Sequence, residues 1–245
     1  MISVTILVKN GERHLFRVLE ALKRFDQVVV YDSGSQDDTL KIARTFPNVV
    51  IYEGPFEGFG VCHNKAASLA RHDWILSIDA DEVLSPALTD EILRANLKPN
   101  TVYSLPFQNY YRNRRVKWCG WYPEQHVRLY HKKRTAFSTA MIHEGVIEKG
   151  MCKAVFVHPV AHYSYDNISD FLVKMERYST LFARQYQGKK KSSPLIACYH
   201  GVGGFMKSYW LKKGFLSGYH GFLISMAIGH TAFYKYLKLY ELNKD

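Results

Sequence analysis

Residues 1–100 alternate short β-branched runs with amphipathic helical stretches, and this alternation limits the fold more tightly than any other property of the sequence. Ile2–Val8 reads as a buried strand, and Leu15, Val18, Leu19 and Leu22 follow at the i, i+3, i+4, i+7 spacing of one helix face. Residues 28–31 predict a second strand. Ser35-Gln36-Asp37-Asp38 then has the S-x-x-D form of a capping box, opening a helix that carries Leu40, Ile42, Ala43 and Phe46. A third strand is expected at 49–52, a helix at 64–71 and a fourth strand at 74–78. Ser85-Pro86 places an N-cap and an N1 proline at the start of another helix. Such a pattern implies a mainly parallel sheet with helices on both faces, in which ligands bind beyond the carboxyl ends of the strands.

From Thr101 the pattern changes to strands with no long helix between them, at 103–110, 126–130 and 154–157, which extends the sheet as a mixed one. Asn167-Ile168-Ser169-Asp170 caps a long helix with Ile168, Phe171, Leu172, Met175 and Phe182 as its apolar stripe, and residues 188–194 form a linker. A catalytic domain over 1–165 and a helical, basic and aromatic region over 166–245 are expected. At 47% hydrophobic and 14% aromatic, the 245-residue chain has ample material for a core. Its formal charge of +11 points to anionic partners: nucleic acid, phosphorylated substrates or an acidic membrane surface. No nucleic-acid-binding motif is present. The four cysteines are scattered, with no C-x-x-C pair, as free thiols in a reducing compartment would be. The apolar run at the start is short and lacks a basic flank, so a cytoplasmic location is expected.

Acidic residues collect where the predicted strands end: Asn10-Gly11-Glu12 after the first, Asp32-Ser33-Gly34-Ser35 after the second, and Asp79-Ala80-Asp81-Glu82 after the fourth. Each alone is an ordinary turn. Together they place acids along one edge of a sheet. Asp79-x-Asp81 is the sharpest signal, since paired carboxylates hold a hard divalent cation while leaving positions open for phosphate oxygens. A cation there also stabilises the charge that builds on a departing nucleoside diphosphate.

The runs from Val4 to Glu12, from Val29 to Thr39 (with Asp32-Ser33-Gly34-Ser35-Gln36-Asp37) and from Ile78 to Glu82 resemble family-2 glycosyltransferases over about residues 1–165. The resemblance implies a GT-A nucleotide-sugar-binding fold and inversion at the anomeric carbon. It implies that Asp32 contacts the nucleoside, that Asp79 lies near the ribose and metal, and that Asp81 ligates a divalent metal, Mg²⁺ or Mn²⁺. Lys9, Asn10, Glu12, Ser35 and Asp37 complete the expected donor-binding set, and a late histidine, His162 or His158, completes the metal site. An inverting transfer needs a carboxylate base. Two candidates stand in the later strands: Glu124, behind Gly120-Trp121-Tyr122-Pro123 and followed by Gln125-x-x-Arg128, and Glu144 in His143-Glu144-Gly145.

Residues 214–234 contain no Lys, Arg, Asp or Glu, but their glycines, histidines and hydroxyls dilute the apolar density. With basic and aromatic flanks they fit an interfacial segment on an anionic membrane better than a packed or a spanning helix. The family core, the G-W-Y-P-E turn, H-E-G and this tail together resemble bacterial lipopolysaccharide-core glucosyltransferases. That resemblance implies UDP-glucose as donor, the inner-core heptose as acceptor, and a peripheral position on the cytoplasmic face of the inner membrane. The basic cluster Arg112, Arg114, Arg115 and Lys117 suits a phosphate-bearing acceptor. Three other readings compete: transfer to another cell-surface polysaccharide or lipid-linked acceptor, nucleotidyl transfer, and a non-enzymatic membrane-binding adaptor. Nucleotidyl transfer would want a Gly-rich loop that Val8-Lys9-Asn10-Gly11-Glu12 does not supply, and an adaptor has no use for Asp79-x-Asp81.

Overall fold

The structure, a computed structural model, describes residues 1–139 and 145–244. Its elements run β1 (Ile2–Val8), α1 (Glu12–Ala21), β2 (Gln27–Asp32), α2 (Thr39–Ala43), β3 (Val49–Glu53), α3 (Phe59–Leu69), β4 (Trp74–Asp79), β5 (Glu82–Leu84) and α4 (Pro86–Arg94). They continue with β6 (Thr101–Tyr111), β7 (Arg114–Arg115), β8 (Glu124–His131), β9 (Cys152–Val155), β10 (Val160–Tyr165), α5 (Ile168–Tyr186), α6 (Pro194–Met206) and α7 (Gly218–Leu242). Contacts divide the chain into two units. The first comprises Met1–Phe107 and Glu124–His162, the second Gln108–Pro123 and Tyr163–Asp245.

The described strands form one sheet in the order β3-β2-β1-β4-β8-β6-β10-β5, with β7 and β9 also paired to β6. The first four are parallel, in register from Ser3 opposite Gln27 and Ile75 to Val8 opposite Asp32 and Leu7 opposite Asp79. The reason lies in the alternation of their side chains. Val28 and Val30 face one core with Leu15 and Val18 of α1 and Leu88 and Ile92 of α4. Val29 and Tyr31 face another with Cys62, Ala66 and Ala67 of α3. A sheet apolar on both faces must be covered on both, and α1 and α4 on one side and α3 on the other do so here. β8 then pairs antiparallel to β4, and the sheet becomes mixed.

Ser85 caps α4, its Oγ accepting from Leu88 N at 3.2 Å. Asn167 and Asp170 form the expected reciprocal capping box on α5. Ser35 to Asp38 do not form one. α2 starts at Thr39, has no side-chain cap and stops before Phe46, because Ser35 and Asp37 are bonded elsewhere, as described below. α3 begins at Phe59, five residues before the expected start, and β9 ends at Val155. In α5 Phe171 is buried while Leu172 is 51% exposed, so the inward face runs from Phe171 through Ser179 to Ala183. None of the four cysteines is in a disulfide.

In the second unit, Tyr111, Val116, Cys119, Phe171 and Ile224 form a separate small core. Residues 214–234 are not one helix: Gly214–Ser217 is a 3₁₀ turn, and α7 follows from Gly218. Among the described residues no helix is long and apolar enough to cross a membrane.

Leu15 is fully buried under the parallel strands. Leu15→Ala is expected to lower the free energy of unfolding by ~2–5 kcal/mol, whereas Asn167→Ala, which removes only a helix cap, costs about 1 kcal/mol. Urea denaturation of the two variants checks this ranking.

Candidate active site

All the described donor-side candidates lie in the first unit, on the loops that leave the carboxyl ends of β1, β2 and β4. Asp32, the last residue of β2, is 1% exposed. Its Oδ2 accepts from the backbone N–H groups of Gly34 at 3.0 Å and Ser35 at 2.9 Å, and its Oδ1 accepts from the Ser35 hydroxyl. The carboxylate therefore folds its own loop, a turn that Gly34 permits by taking φ +92°.

That loop is laced to the one after β1. Asn10 N donates to Ser35 Oγ at 2.8 Å, and Gln36 N donates to Asn10 Oδ1 at 2.8 Å. Glu12 N donates to Asp37 Oδ2 at 3.2 Å, and Asp38 N returns the bond to Glu12 Oε2 at 3.0 Å. The exchange has the reciprocity of a capping box, but it joins the starts of α1 and α2 and lies within neither helix. Burial raises the Asp37 pKa, but bonds from the Thr39 side chain and from the Glu12 and Thr39 backbones outweigh it and hold the carboxyl below its usual range. Asn10, Glu12, Ser35 and Asp37 are thus brought together, while Lys9 stands exposed at the end of β1.

The second cluster forms where β4 ends. Arg128 of β8 donates from one Nη to Asp79 Oδ2 at 2.7 Å and to Glu82 Oε1. Glu82 Oε2 also accepts from Asp79 N at 3.0 Å. Glu82 is 1% exposed, Arg128 is largely buried, and Asp79 keeps 41% of its side chain open. Burial works against the charged form of Asp79, but Arg128 holds it well below the carboxylate range. Burial pushes Glu82 up, and although Arg128 opposes this, the nearby Asp79 and Asp81 add to the rise.

Arg128 was not among the residues assigned a role from the sequence. It reaches the carboxylates through a β-bulge. Tyr103 of β6 opposes Leu129 and Ser104 opposes Val127, which leaves Arg128 as the extra residue. Bulges re-aim side chains in this way beside active sites. The spacing Gln125-x-x-Arg128 behind the G-W-Y-P-E turn was the available signal, but the bulge that turns it to account is not local.

Asp81 points to His162 of β10, with Oδ2 3.6 Å from Nε2. Burial would lower the His162 pKa, yet its bond to Asp81, with the charges of Asp81, Glu82 and Asp79, raises it above the ordinary value. The fully buried Phe107 ring packs beside His162 at 5.9 Å, His126 at 5.0 Å and the Arg128 guanidinium at 5.5 Å. His158 is placed differently, with Nδ1 2.8 Å from Glu91 Oε2 on α4. His63, buried and stacked on Phe137, contacts Ser77 Oγ at 3.1 Å, and burial lowers its pKa to about 4, so it stays neutral. Glu124 opens β8, 37% exposed, with Oε1 2.9 Å from His126 Nε2. Glu144 lies outside the described residues.

Among the described residues no three His, Cys, Asp or Glu side chains converge to hold a metal. Asp79 Oδ2 is engaged by Arg128, while Asp81 Oδ2 faces His162. The donor set that remains, one carboxylate and one imidazole, fits a divalent cation that takes its other ligands from water and substrate phosphate.

Residues 3–156 match Glycosyl transferase family 2. The chain belongs to that family. An uncharacterized glycosyltransferase of Rickettsia typhi is 31% identical over 99% of this chain and 87% of its own length. The lipopolysaccharide core biosynthesis glycosyltransferase LpsC of Rhizobium meliloti is 25% identical over 98% of this chain and 92% of its own. Among solved structures, S. aureus TarS 1-349 in complex with UDP-GlcNAc matches at a TM-score of 0.49 and 12% identity, covering 99% of this chain and 90% of that one. The parallel β3-β2-β1-β4 half-sheet, its helices on both faces and its mixed extension are the GT-A architecture of the family, followed by C-terminal helices.

Removing Arg128 leaves a buried, uncompensated carboxylate, so Arg128→Met is expected to cost ~3–5 kcal/mol. Without Arg128, Glu82 binds its proton more tightly in the folded chain than in the unfolded one. Stability that rests on a raised pKa is lost as pH rises through it. Glu82 is already raised to about 8 with Arg128 present, so wild type and variant lose stability alike up to that pH. The deficit of Arg128→Met is therefore expected to be smaller at pH 7 than at pH 9.5, which urea titrations at the two pH values measure.

Proposed function

We propose that this family-2 glycosyltransferase is an inverting, metal-dependent enzyme. It moves a hexose, glucose, from a UDP-sugar to the inner-core heptose of lipopolysaccharide, and it works peripherally at the cytoplasmic face of the inner membrane. The observation that carries the reading is Asp81 beside His162, at the end of β4 where donor phosphates bind in such sheets, with the neighbouring Asp79 kept ionised by Arg128. The acceptor class is supported by the likeness to LpsC, which extends over nearly the whole of both chains. A UDP-sugar donor is in keeping with the clamped loops after β1 and β2, whose Asp32, Ser35 and Asn10 are set before any ligand arrives.

Asp81 and His162 would hold a Mg²⁺ or Mn²⁺ ion, which supplies charge to the departing diphosphate. Glu124 takes the proton of the acceptor hydroxyl. The freed oxygen attacks the anomeric carbon from the face opposite the diphosphate, the bond from that carbon to the phosphate oxygen breaks, and UDP leaves with the electron pair. His126, bonded to Glu124, orients the carboxylate. Arg128 holds Asp79 and Glu82 and so fixes the edge on which Asp81 stands.

A donor screen read by UDP release, with defined inner-core lipopolysaccharide as acceptor, tests donor and reaction class together. Asp81→Asn is expected to lower turnover about 10²-fold or more, since several kcal/mol of charge stabilisation is at stake and each 1.36 kcal/mol is tenfold. Unimpaired transfer by this variant in saturating Mn²⁺ would overturn the metal site. Glu124→Gln is expected to lose about 10²–10⁴-fold in kcat. Retention of activity there, with loss in Glu144→Gln, moves the base to Glu144.

A further inference from the structure

α6 is built inside out for a helix in water. Gly201 and Gly204 face α7: a Cβ placed on Gly201 would lie 3.0 Å from Phe233 Cβ, one on Gly204 would lie 3.4 Å from Ala232 Cβ, and one on Gly229 would lie 2.9 Å from the Gly201 carbonyl oxygen. Backbone packs on backbone there. Its large apolar residues face solvent, with Leu195, Tyr199, Val202 and Met206 falling at i, i+4, i+7 and i+11 on one stripe. The π-helical turn that follows, Lys207–Leu211, continues the stripe with Trp210 and Leu211. Leu195 and Leu211, at its two ends, are 81% and 79% exposed. A contiguous apolar face of this kind marks an interaction surface.

Charge identifies the partner. Lys207, Lys212 and Lys213 stand exposed beside the stripe, and no Asp or Glu occurs in the sequence between Glu176 and Glu241. Most of the chain's basic excess is therefore concentrated in this region. A second copy of the same face would set lysines against lysines, whereas an anionic surface satisfies them. Trp and Tyr at the edge of an apolar stripe suit the boundary between headgroups and acyl chains.

We propose that the exposed face of α6 and the turn after it form the docking surface of this enzyme for an anionic lipid bilayer, lying in the interface and not across it. The face also holds the loop that precedes Glu124 in the chain. Cys119 N donates to the Lys212 carbonyl at 3.1 Å, Ser208 Oγ donates to the Cys119 carbonyl at 3.3 Å, and Lys213 Nζ lies 5.8 Å over the Trp118 ring. Docking thereby fixes the Trp118–Cys119 segment at the lipid surface. The lipid contact rests on this surface alone. Its bearing on catalysis rests on the lipid-linked acceptor proposed above.

Co-sedimentation of the full chain with phosphatidylcholine vesicles, with and without phosphatidylglycerol, tests the assignment in the absence of donor and acceptor. Binding is expected only with phosphatidylglycerol and is expected to weaken with salt. Lys207→Gln and Lys213→Gln should each weaken it about fivefold, and Tyr199→Ser with Trp210→Ser should abolish it. Val173→Ser, on an exposed site of α5, should leave it unchanged. Circular dichroism and urea midpoints equal to wild type establish that the variants fold.

Variants that bind as wild type, or a wild type that ignores anionic vesicles, overturn the proposal. So does a wild-type dimer in sedimentation velocity that Trp210→Ser dissociates, since the face would then cover a second copy. Vesicle binding without UDP release from any donor would sink the functional reading and leave this surface standing. UDP release on detergent-dispersed acceptor without vesicle binding would do the reverse.

Discussion

A buried guanidinium organises the acidic edge of this protein. Arg128 reaches two acidic side chains from a bulged strand, and its buried charge is tolerable only because they are there. Taking such ions out of water costs several kcal/mol apiece, so the network contributes little net stability. What it supplies is position. Glu82 is tied by Arg128 on one oxygen and by the Asp79 backbone on the other, which locks the short turn between β4 and β5. Asp81 sits within that turn, and β10 brings His162 to it across the strand pair in which His162 opposes Glu82.

A second constraint acts beside the first. The loops after β1 and β2 hold each other through Asn10, Glu12, Ser35 and Asp37, and Asp32 is consumed in shaping its own turn. Several side chains that read as ligand contacts thus have a prior structural occupation. Both roles follow from one fact: polar groups at the carboxyl ends of a parallel sheet must be satisfied by loops before a ligand can use what is left. Preorganisation of this kind is what a charge-developing reaction needs from a protein.

The legible part of the sequence was the part governed by short-range periodicity. The alternation of Val28, Val29, Val30 and Tyr31 between two cores, the stripe of α1, and the Ser85 and Asn167 caps were all readable because their partners lie within a few residues or on a repeating face. The site was legible as a location and only partly as an arrangement. Asp32, Asp79 and Asp81 stand at strand ends as their spacing required, but the apparent capping box at Ser35 to Asp38 dissolved because Ser35 bonds to Asp32 and Asn10 and the Asp38 side chain pairs with Lys41. His158, as good a candidate in sequence as His162, belongs to Glu91 of α4. Two histidines four residues apart on a chain that turns into a strand cannot be told apart until their neighbours are known.

By itself, then, the sequence determined the class of sheet, the order of its parallel strands' loops, and the edge on which the acids collect. These depend on the period of apolar residues and on turn chemistry, which are local. Tertiary structure alone decided that Arg128 is the residue that orders those acids, since a bulge is set by the pairing of β8 with β6. It also decided which face of α6 is bare. Glycines and large apolar residues are mixed along that helix, and only the close approach of α7 sets Gly201 and Gly204 against it and leaves Tyr199 and Leu195 outside.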